Sequence, residues 1–219
     1  MTDKDIEFNK HYWDDFYKHK HRIIPSQFCV CVLTELNKDA SVVELGSGNG
    51  RDSLYFASKG CSVTSMDLSH EAITQSNKRA DAEGLTGTRF FQGDLTSERD
   101  ISRTVDHARK SNEGQQITFY SRFVMHSLDD DQEQAFLHVV GKCVKAGEQI
   151  YFEFRSSEDA ALDKHFGGHF RRYVDTETFK NRLTAEGFKI EYEIIGQGMA
   201  KYKEEDPYVA RFIAKKLDP

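Results

Sequence analysis

The apolar run Val42-Val43 passes through Glu44-Leu45 straight into Gly46-Ser47-Gly48-Asn49-Gly50. No other segment constrains the fold as much as this junction. Glycine allows positive φ and lets a ligand approach the backbone closely. Helix-forming residues, Asp52 to Lys59, follow the turn. Strand, glycine turn and helix together open an α/β sheet, in which ligands gather beyond the carboxyl ends of the strands.

The alternation continues along the chain. Ser41 to Leu45, Ser62 to Met66, Thr88 to Gln92, Gln116 to Tyr120 and Gln149 to Phe154 read as buried or half-buried strands. Helical stretches separate them: Glu71 to Glu83, with Ser69 as N-cap and Gly84 as stop, Glu98 to Arg109, and Asp131 to Lys145, where Asp130 and Glu133 have capping-box spacing. This order predicts a parallel, doubly wound sheet. The tail changes character: a helix over Asp175 to Glu186 is followed by two strand-like runs, Lys189 to Ile195 and Tyr208 to Lys215. Two consecutive strands predict an antiparallel hairpin at the sheet edge. Two further helices, Phe8 to His19 and Ser26 to Asn37, precede the first strand.

Length and composition bound the rest. A chain of 219 residues with 38% hydrophobic side chains suits a single domain, read as an N-terminal helical cap over 1–38 and a sheet core over 39–219. Its net charge of −6 disfavours a general nucleic-acid binder. The four cysteines form no C-x-x-C pair, which disfavours a zinc site or disulfide frame and fits a reducing compartment. Without an apolar signal core or an 18-residue apolar run, a cytoplasmic protein is expected. A homodimer is compatible with the sequence.

The spacing of acids along the strand ends narrows the ligand. In a dinucleotide-binding loop, G-x-G-x-x-G, the third glycine falls three residues after the second; here it falls two after, and Arg51 takes the expected place. Asp67, beside Leu68, ends the second strand, where a carboxylate can accept both hydroxyls of a ribose. Asp94 ends the third; it could accept an adenine amino hydrogen, while the amide of Leu95 donates to a ring nitrogen. Each has a bland alternative: a tight turn for the glycines, a helix-terminal acid for Asp67, a turn residue for Asp94.

With these residues in place, the sequence resembles the class I S-adenosylmethionine-dependent methyltransferases over roughly Ala40 to Phe154 and the terminal hairpin. Glu44-x-Gly46-x-Gly48-x-Gly50 matches the first motif of that family, Asp67 its ribose acid, and Asp94-Leu95 its adenine pair. The run Gly50-Arg51-Asp52-Ser53-Leu54-Tyr55-Phe56-Ala57 is similar to the small-molecule thiopurine and tellurite subgroup. The resemblance implies a Rossmann-like seven-stranded sheet with its last strand antiparallel, S-adenosylmethionine as cofactor, and a role for Glu44 at the methionine amino group.

The acceptor is less constrained. In the family, the segment after the fourth strand borders the transfer site. Here it reads Tyr120-Ser121-Arg122-Phe123-Val124-Met125-His126, without the Asn/Asp-Pro-Pro-Tyr type of motif of amine and nucleobase methylation. His126 is the candidate base for a hydroxyl acceptor, or a group that neutralises an oxyanion. Arg122, Arg155, Arg171, Arg172 and Lys201, with Tyr17 and Phe123, make a candidate acceptor set that favours a small anionic acceptor such as a phosphate, phosphonate or phosphorylated sugar. The broad pattern also resembles methyltransferases of phosphonate and polysaccharide-cap biosynthesis. Pairing of these arginines with acids such as Glu153 or Asp175 is the alternative. Two other functions stay open: methylation of a neutral hydroxyl, thiol or metalloid, and a non-catalytic nucleoside-binding module. The aromatic stretch Tyr12 to Tyr17 suggests a lid, or simple packing against the sheet. His165 and His169 have metal-ligand spacing, but Gly167-Gly168 between them breaks a helix, so no metal is expected.

Overall fold

In the computed structural model, residues 3–19, 23–162, 164 and 170–218 are described. The chain runs α1 (Asp3–His19), α2 (Gln27–Glu35), β1 (Ser41–Leu45), α3 (Arg51–Ser58), β2 (Ser62–Asp67), α4 (His70–Ala82), β3 (Thr88–Gln92), α5 (Glu98–Ser111), β4 (Ile117–Arg122), α6 (Asp130–Cys143), β5 (Gln149–Arg155), α7 (Thr176–Ala185), β6 (Phe188–Gly196) and β7 (Val209–Lys216). The seven strands are ordered β3-β2-β1-β4-β5-β7-β6. β1 pairs in parallel with β2 and β4, and β2 with β3. β7 is antiparallel to both β5 and β6. The expected doubly wound sheet with an antiparallel last strand is therefore present. By compactness the chain divides into Met1–Tyr120 and Ser121–Pro219.

In the first unit, register positions the motifs. Leu45 is opposite Met66, Met66 opposite Phe91, and Asp67 opposite Gln92. The glycine turn, Asp67 and the Gly93-Asp94 turn thus leave the sheet at the same edge. Local signals set the helices that follow. Ser69 caps α4 by accepting from the Ala72 amide, and Ser97 caps α5 by accepting from the Asp100 amide. All five residues of β1 are buried, as a strand between two parallel neighbours requires.

One buried carboxylate ties three elements of this unit together. Asp52, in the first turn of α3, accepts from the Ser26 amide at 2.7 Å, the Ser26 hydroxyl at 2.7 Å and the Tyr120 hydroxyl at 2.9 Å. Ser26 is itself the N-cap of α2, and Tyr120 lies on β4. Phe28 and Phe56 pack on the Tyr120 ring at 5.2 and 5.3 Å between centroids.

The second unit has an aromatic core. The Phe179 ring of α7 lies 5.2, 4.6 and 5.3 Å from those of Phe152, Phe154 and Phe212. The capping box of α6 is formed by Asp129 and Gln132, one residue earlier than the Asp130 and Glu133 spacing suggests. Asp129 to Asp131 offer three adjacent acids, and the tertiary demand on Glu133, buried against two arginines, selects the register.

Replacing Asp52 with alanine would take the carboxylate acceptor away from a buried amide and two buried hydroxyls. Urea unfolding of Asp52→Ala should show a loss of about 2–4 kcal/mol. A loss below about 0.5 kcal/mol, typical of a surface site, would contradict this role.

Candidate active site

The glycine turn is built by backbone bonds. The amides of Gly46 and Ser47 both donate to the Met66 carbonyl, at 2.9 and 3.0 Å, and the Gly50 amide donates to the Ser47 carbonyl at 3.0 Å. Gly48 and Gly50 have φ of 54° and 71°, a region other residues enter at a cost. Space enforces the same choice. A Cβ on Gly50 would stand 2.7 Å from the Ser76 hydroxyl, and one on Gly48 would collide with the Tyr17 hydroxyl.

Two carboxylates flank the turn. Asp67 accepts the Gly48 amide on one oxygen at 2.7 Å and the Ser69 amide on the other at 3.0 Å. Burial lifts its pKa above the ordinary carboxylate value, while the two amides oppose that rise. Glu44 is buried within β1 and accepts from the Ser53 hydroxyl, which also bonds Ser65 at 2.6 Å. Burial, and then the neighbouring Asp52 charge, push the Glu44 carboxyl well above its usual range; Ser53 and Arg51 pull it back. The Ser47 hydroxyl is buried in the turn with no hydrogen-bond partner among the described residues. A buried donor left unpaired in a folded protein points to a ligand atom or a water as partner.

At the next strand end the Gly93 amide donates to the Asp67 carbonyl at 2.9 Å. One oxygen of Asp94 accepts both the amide and the hydroxyl of Thr96, each at 2.8 Å. Asp94 therefore has the turn role of its bland alternative as well as a second carboxylate oxygen outside that turn. Leu68 and Leu95 are half-buried beside these acids.

The N-terminal helix reaches the turn. Asp14 accepts from the Ser69 hydroxyl at 2.6 Å and the Glu71 amide at 3.2 Å, an acid placed on the N-terminus of α4. Gln75 donates to the Tyr17 carbonyl at 2.5 Å. Trp13 stacks on Tyr17 at 6.1 Å, and Phe16 meets its edge at 5.2 Å. Tyr17, expected among the acceptor residues, thus lies against Gly48.

The other acceptor candidates belong to the second unit. The Arg122 Nε donates to Glu153 at 2.7 Å, and Arg211 reaches the other oxygen of Glu153 at 2.7 Å. Arg155 pairs with Asp159 at 2.7 Å and with Glu205. Arg172 pairs with Asp130 and Glu133, which Arg182 shares. Arg171 is half-buried and Lys201 is exposed. Phe123 adopts φ of 58°, costing a bulky residue about 1–3 kcal/mol. Its ring lies under the Arg122 guanidinium at 4.0 Å and meets the His126 ring edge-on at 5.2 Å. His126 is buried, and its Nδ1 accepts the Arg155 amide at 3.5 Å. An amide can only donate, so the neutral ring carries its proton on Nε2.

Among the described residues, no group of three or more His, Cys, Asp or Glu could hold a metal ion; His165 and His169 lie outside them. Among the described residues, no helix is long and apolar enough to cross a membrane. Sequence reasoning gave no role to Ser47, Arg51, Asp159 or Glu205. The first two lie inside the recognised turn, and their flanking position was the available signal. The two acids meet Arg155 only through tertiary folding.

The strand order and glycine turn define a class I methyltransferase fold. Residues 42–147 match the family model of the methyltransferase domain. A methyltransferase from Anabaena variabilis superposes with a TM-score of 0.71 at 14% identity, covering 96% of this chain and 94% of that one. The magnesium protoporphyrin IX methyltransferase of Synechocystis, solved with S-adenosylhomocysteine, gives 0.70 at 15%, covering 97% and 99%. An enzyme that converts a disulfide into a thioacetal in echinomycin biosynthesis gives 0.70 at 19%, covering 95% and 93%. No curated protein matches the sequence. Residues 42–147 thus carry a methyltransferase domain, on the fold shared by S-adenosylmethionine-dependent enzymes.

The turn fits that cofactor. It offers a glycine backbone without side chains, an unpaired buried hydroxyl at Ser47, a buried carboxylate at Glu44 and a half-buried one at Asp67. When bound, the cofactor supplies an electrophilic methyl group on a sulfonium. Glu44 would face its ammonium group and Asp67 its ribose hydroxyls.

Glu44 carries a measurable cost. Its raised pKa means that the folded chain holds the proton more tightly than the unfolded chain. That stabilisation is complete below the unfolded pKa and is lost as pH rises through the folded value. Glu44→Gln, free of ligand, should melt about 2–4 °C above the parent at pH 7.5, with the gap closing below about pH 4. The same variant should bind S-adenosylhomocysteine more weakly. A lower melting temperature at pH 7.5 would contradict the electrostatic account of Glu44.

Proposed function

We propose that the chain methylates a small-molecule acceptor that is nucleophilic without help from a protein base, a thiol or a comparably soft atom. The observation that carries this proposal is the state of His126. Its Nδ1 lone pair already receives the Arg155 amide, and the proton on Nε2 makes the ring a donor. A neutral hydroxyl needs a base to become a competent nucleophile, and a donor cannot serve as one. A thiol, with a pKa of about 8.5, ionises by itself near neutral pH. Methyl transfer then depends on alignment rather than on proton abstraction.

The arginine pairs support the same preference. An anionic acceptor drew its case from Arg122, Arg155, Arg171, Arg172 and Lys201, and three of these, Arg122, Arg155 and Arg172, stand on carboxylate partners. A guanidinium already matched by a buried carboxylate gains less from an incoming phosphate than one held in isolation. The run Gly50-Arg51-Asp52-Ser53 is in keeping with the small-molecule subgroup. Relatives of this fold that act on a magnesium porphyrin, a disulfide and a glycopeptide show that the fold itself does not select the acceptor.

A panel of thiols, neutral alcohols and phosphorylated or phosphonate acceptors, followed by S-adenosylhomocysteine release, tests the proposal. Thiols should turn over, with kcat/KM rising with pH along the ionisation of the acceptor. His126→Gln, which keeps a donor, should leave the shape of that profile unchanged. Turnover confined to phosphorylated or phosphonate acceptors, with Arg122→Ala and Arg155→Ala raising KM, would contradict it and restore an anionic acceptor.

A further inference from the structure

We infer that the chain pairs with a second copy of itself through the outer edge of β6, in a two-fold arrangement centred on Glu193 that joins the two sheets. All the residues concerned lie in the second unit, and none belongs to the donor turn or to the acceptor candidates.

β6 ends the sheet beyond β7. In an antiparallel ladder, successive residues of an inner strand bond alternately to its two neighbours. On β7 the amide and carbonyl of Lys216 both turn to the β5 side, where they meet the Glu148 carbonyl and the Gly147 amide, each at 2.9 Å. Phe212 and Ala210 face the same side, and β6 bonds to the residues between them. Glu193 and Ile195, opposite Phe212 and Ala210, therefore turn their own amides and carbonyls outward, away from the sheet. An open edge invites another strand unless a bulge, a lysine or a proline blunts it. The first half of β6 has such protection in Lys189 and in a bulge between Ile190 and Tyr192. The second half, Tyr192-Glu193-Ile194-Ile195-Gly196, has neither lysine nor proline. It also exposes three large apolar side chains: Tyr192 at 48%, Ile194 at 39% and Ile195 at 36%.

A second β6 suits that edge because the segment matches itself. Two copies laid antiparallel about Glu193 set Glu193 opposite Glu193, and the two backbones exchange amide-to-carbonyl bonds there. Tyr192 of each copy then stands opposite Ile194 of the other, an aromatic against a β-branched residue, twice over. Both side chains lie on the sheet face of Ile213 and Arg211, their neighbours on β7. Opposed glutamates alone would repel. Each already has a cation beside it: the Lys180 ammonium group of α7 lies 3.0 Å from Glu193 and 2.7 Å from Glu177. The two-fold axis brings two Glu193 carboxylates and two Lys180 ammonium groups to one face, so the charges of one copy complement those of the other. Such a contact also closes on itself, leaving no open half of β6 to recruit a third chain.

Sedimentation velocity of the full chain across a series of micromolar concentrations tests this pairing. The parent should sediment as a dimer that dissociates on dilution. Ile194→Lys, at an exposed position where the fold tolerates a charge, should raise the dimer dissociation constant at least about tenfold and leave the far-ultraviolet circular dichroism spectrum unchanged. Lys180→Glu should weaken the dimer likewise, because it leaves like charges opposed. Lys180→Glu combined with Glu193→Lys exchanges the signs and should bring the dissociation constant back to within about threefold of the parent. A parent that stays monomeric at about 100 μM, a dimer insensitive to Ile194→Lys or to Lys180→Glu, or an exchanged pair that fails to recover what Lys180→Glu loses would each overturn the pairing about Glu193.

Discussion

The Gly48 amide donates to a carboxylate oxygen of Asp67, and the glycine turn is arranged around that bond. It joins the turn after β1 to the end of β2. It fixes one oxygen of the acid, while the other oxygen takes the Ser69 amide at the N-terminus of α4. The same turn favours glycine at position 48, where φ is 54° and the Tyr17 hydroxyl lies against the backbone. Backbone geometry, helix capping and the position of the N-terminal helix therefore converge on one hydrogen bond.

Electrostatic strain accompanies this arrangement. Glu44, Asp52 and Asp67 crowd carboxylates into one region, and burial raises the pKa of Glu44 and Asp67. A protein selected for stability alone would replace Glu44, since a neutral residue beside Ser53 and Asp52 avoids burying a second acid. Keeping it is understandable if a ligand brings a positive charge to the site. The trade of stability against function at a binding site is a common one.

The sheet was legible because its determinants are local. The strand-helix rhythm, the cap at Ser69 and the glycine spacing are short-range signals, and each is present as expected. The candidate donor residues Glu44, Asp67 and Asp94 come together because parallel register carries the ends of β1, β2 and β3 to one side of the sheet. The fate of the arginines could not. Arg122 and Arg211 meet on Glu153 from 31 and 58 residues away, and Arg155 finds Glu205 across 50. Sequence showed a group of cations and named Glu153 as a partner for them, yet only folding decides which carboxylates they meet. The surroundings of His126 were hidden for the same reason: its Nδ1 is engaged by a backbone amide 29 residues along the chain.

The central claim is that this turn binds the methyl donor through Asp67. Calorimetric titration of the parent protein and of Asp67→Asn with S-adenosylmethionine tests it most directly, with melting curves to confirm that both are folded. The account predicts one site in the parent and a loss of at least about tenfold in the variant, as expected when a charged hydrogen-bond acceptor is removed from a buried contact. Equal affinity in the two proteins, or no binding to a folded parent, would contradict it.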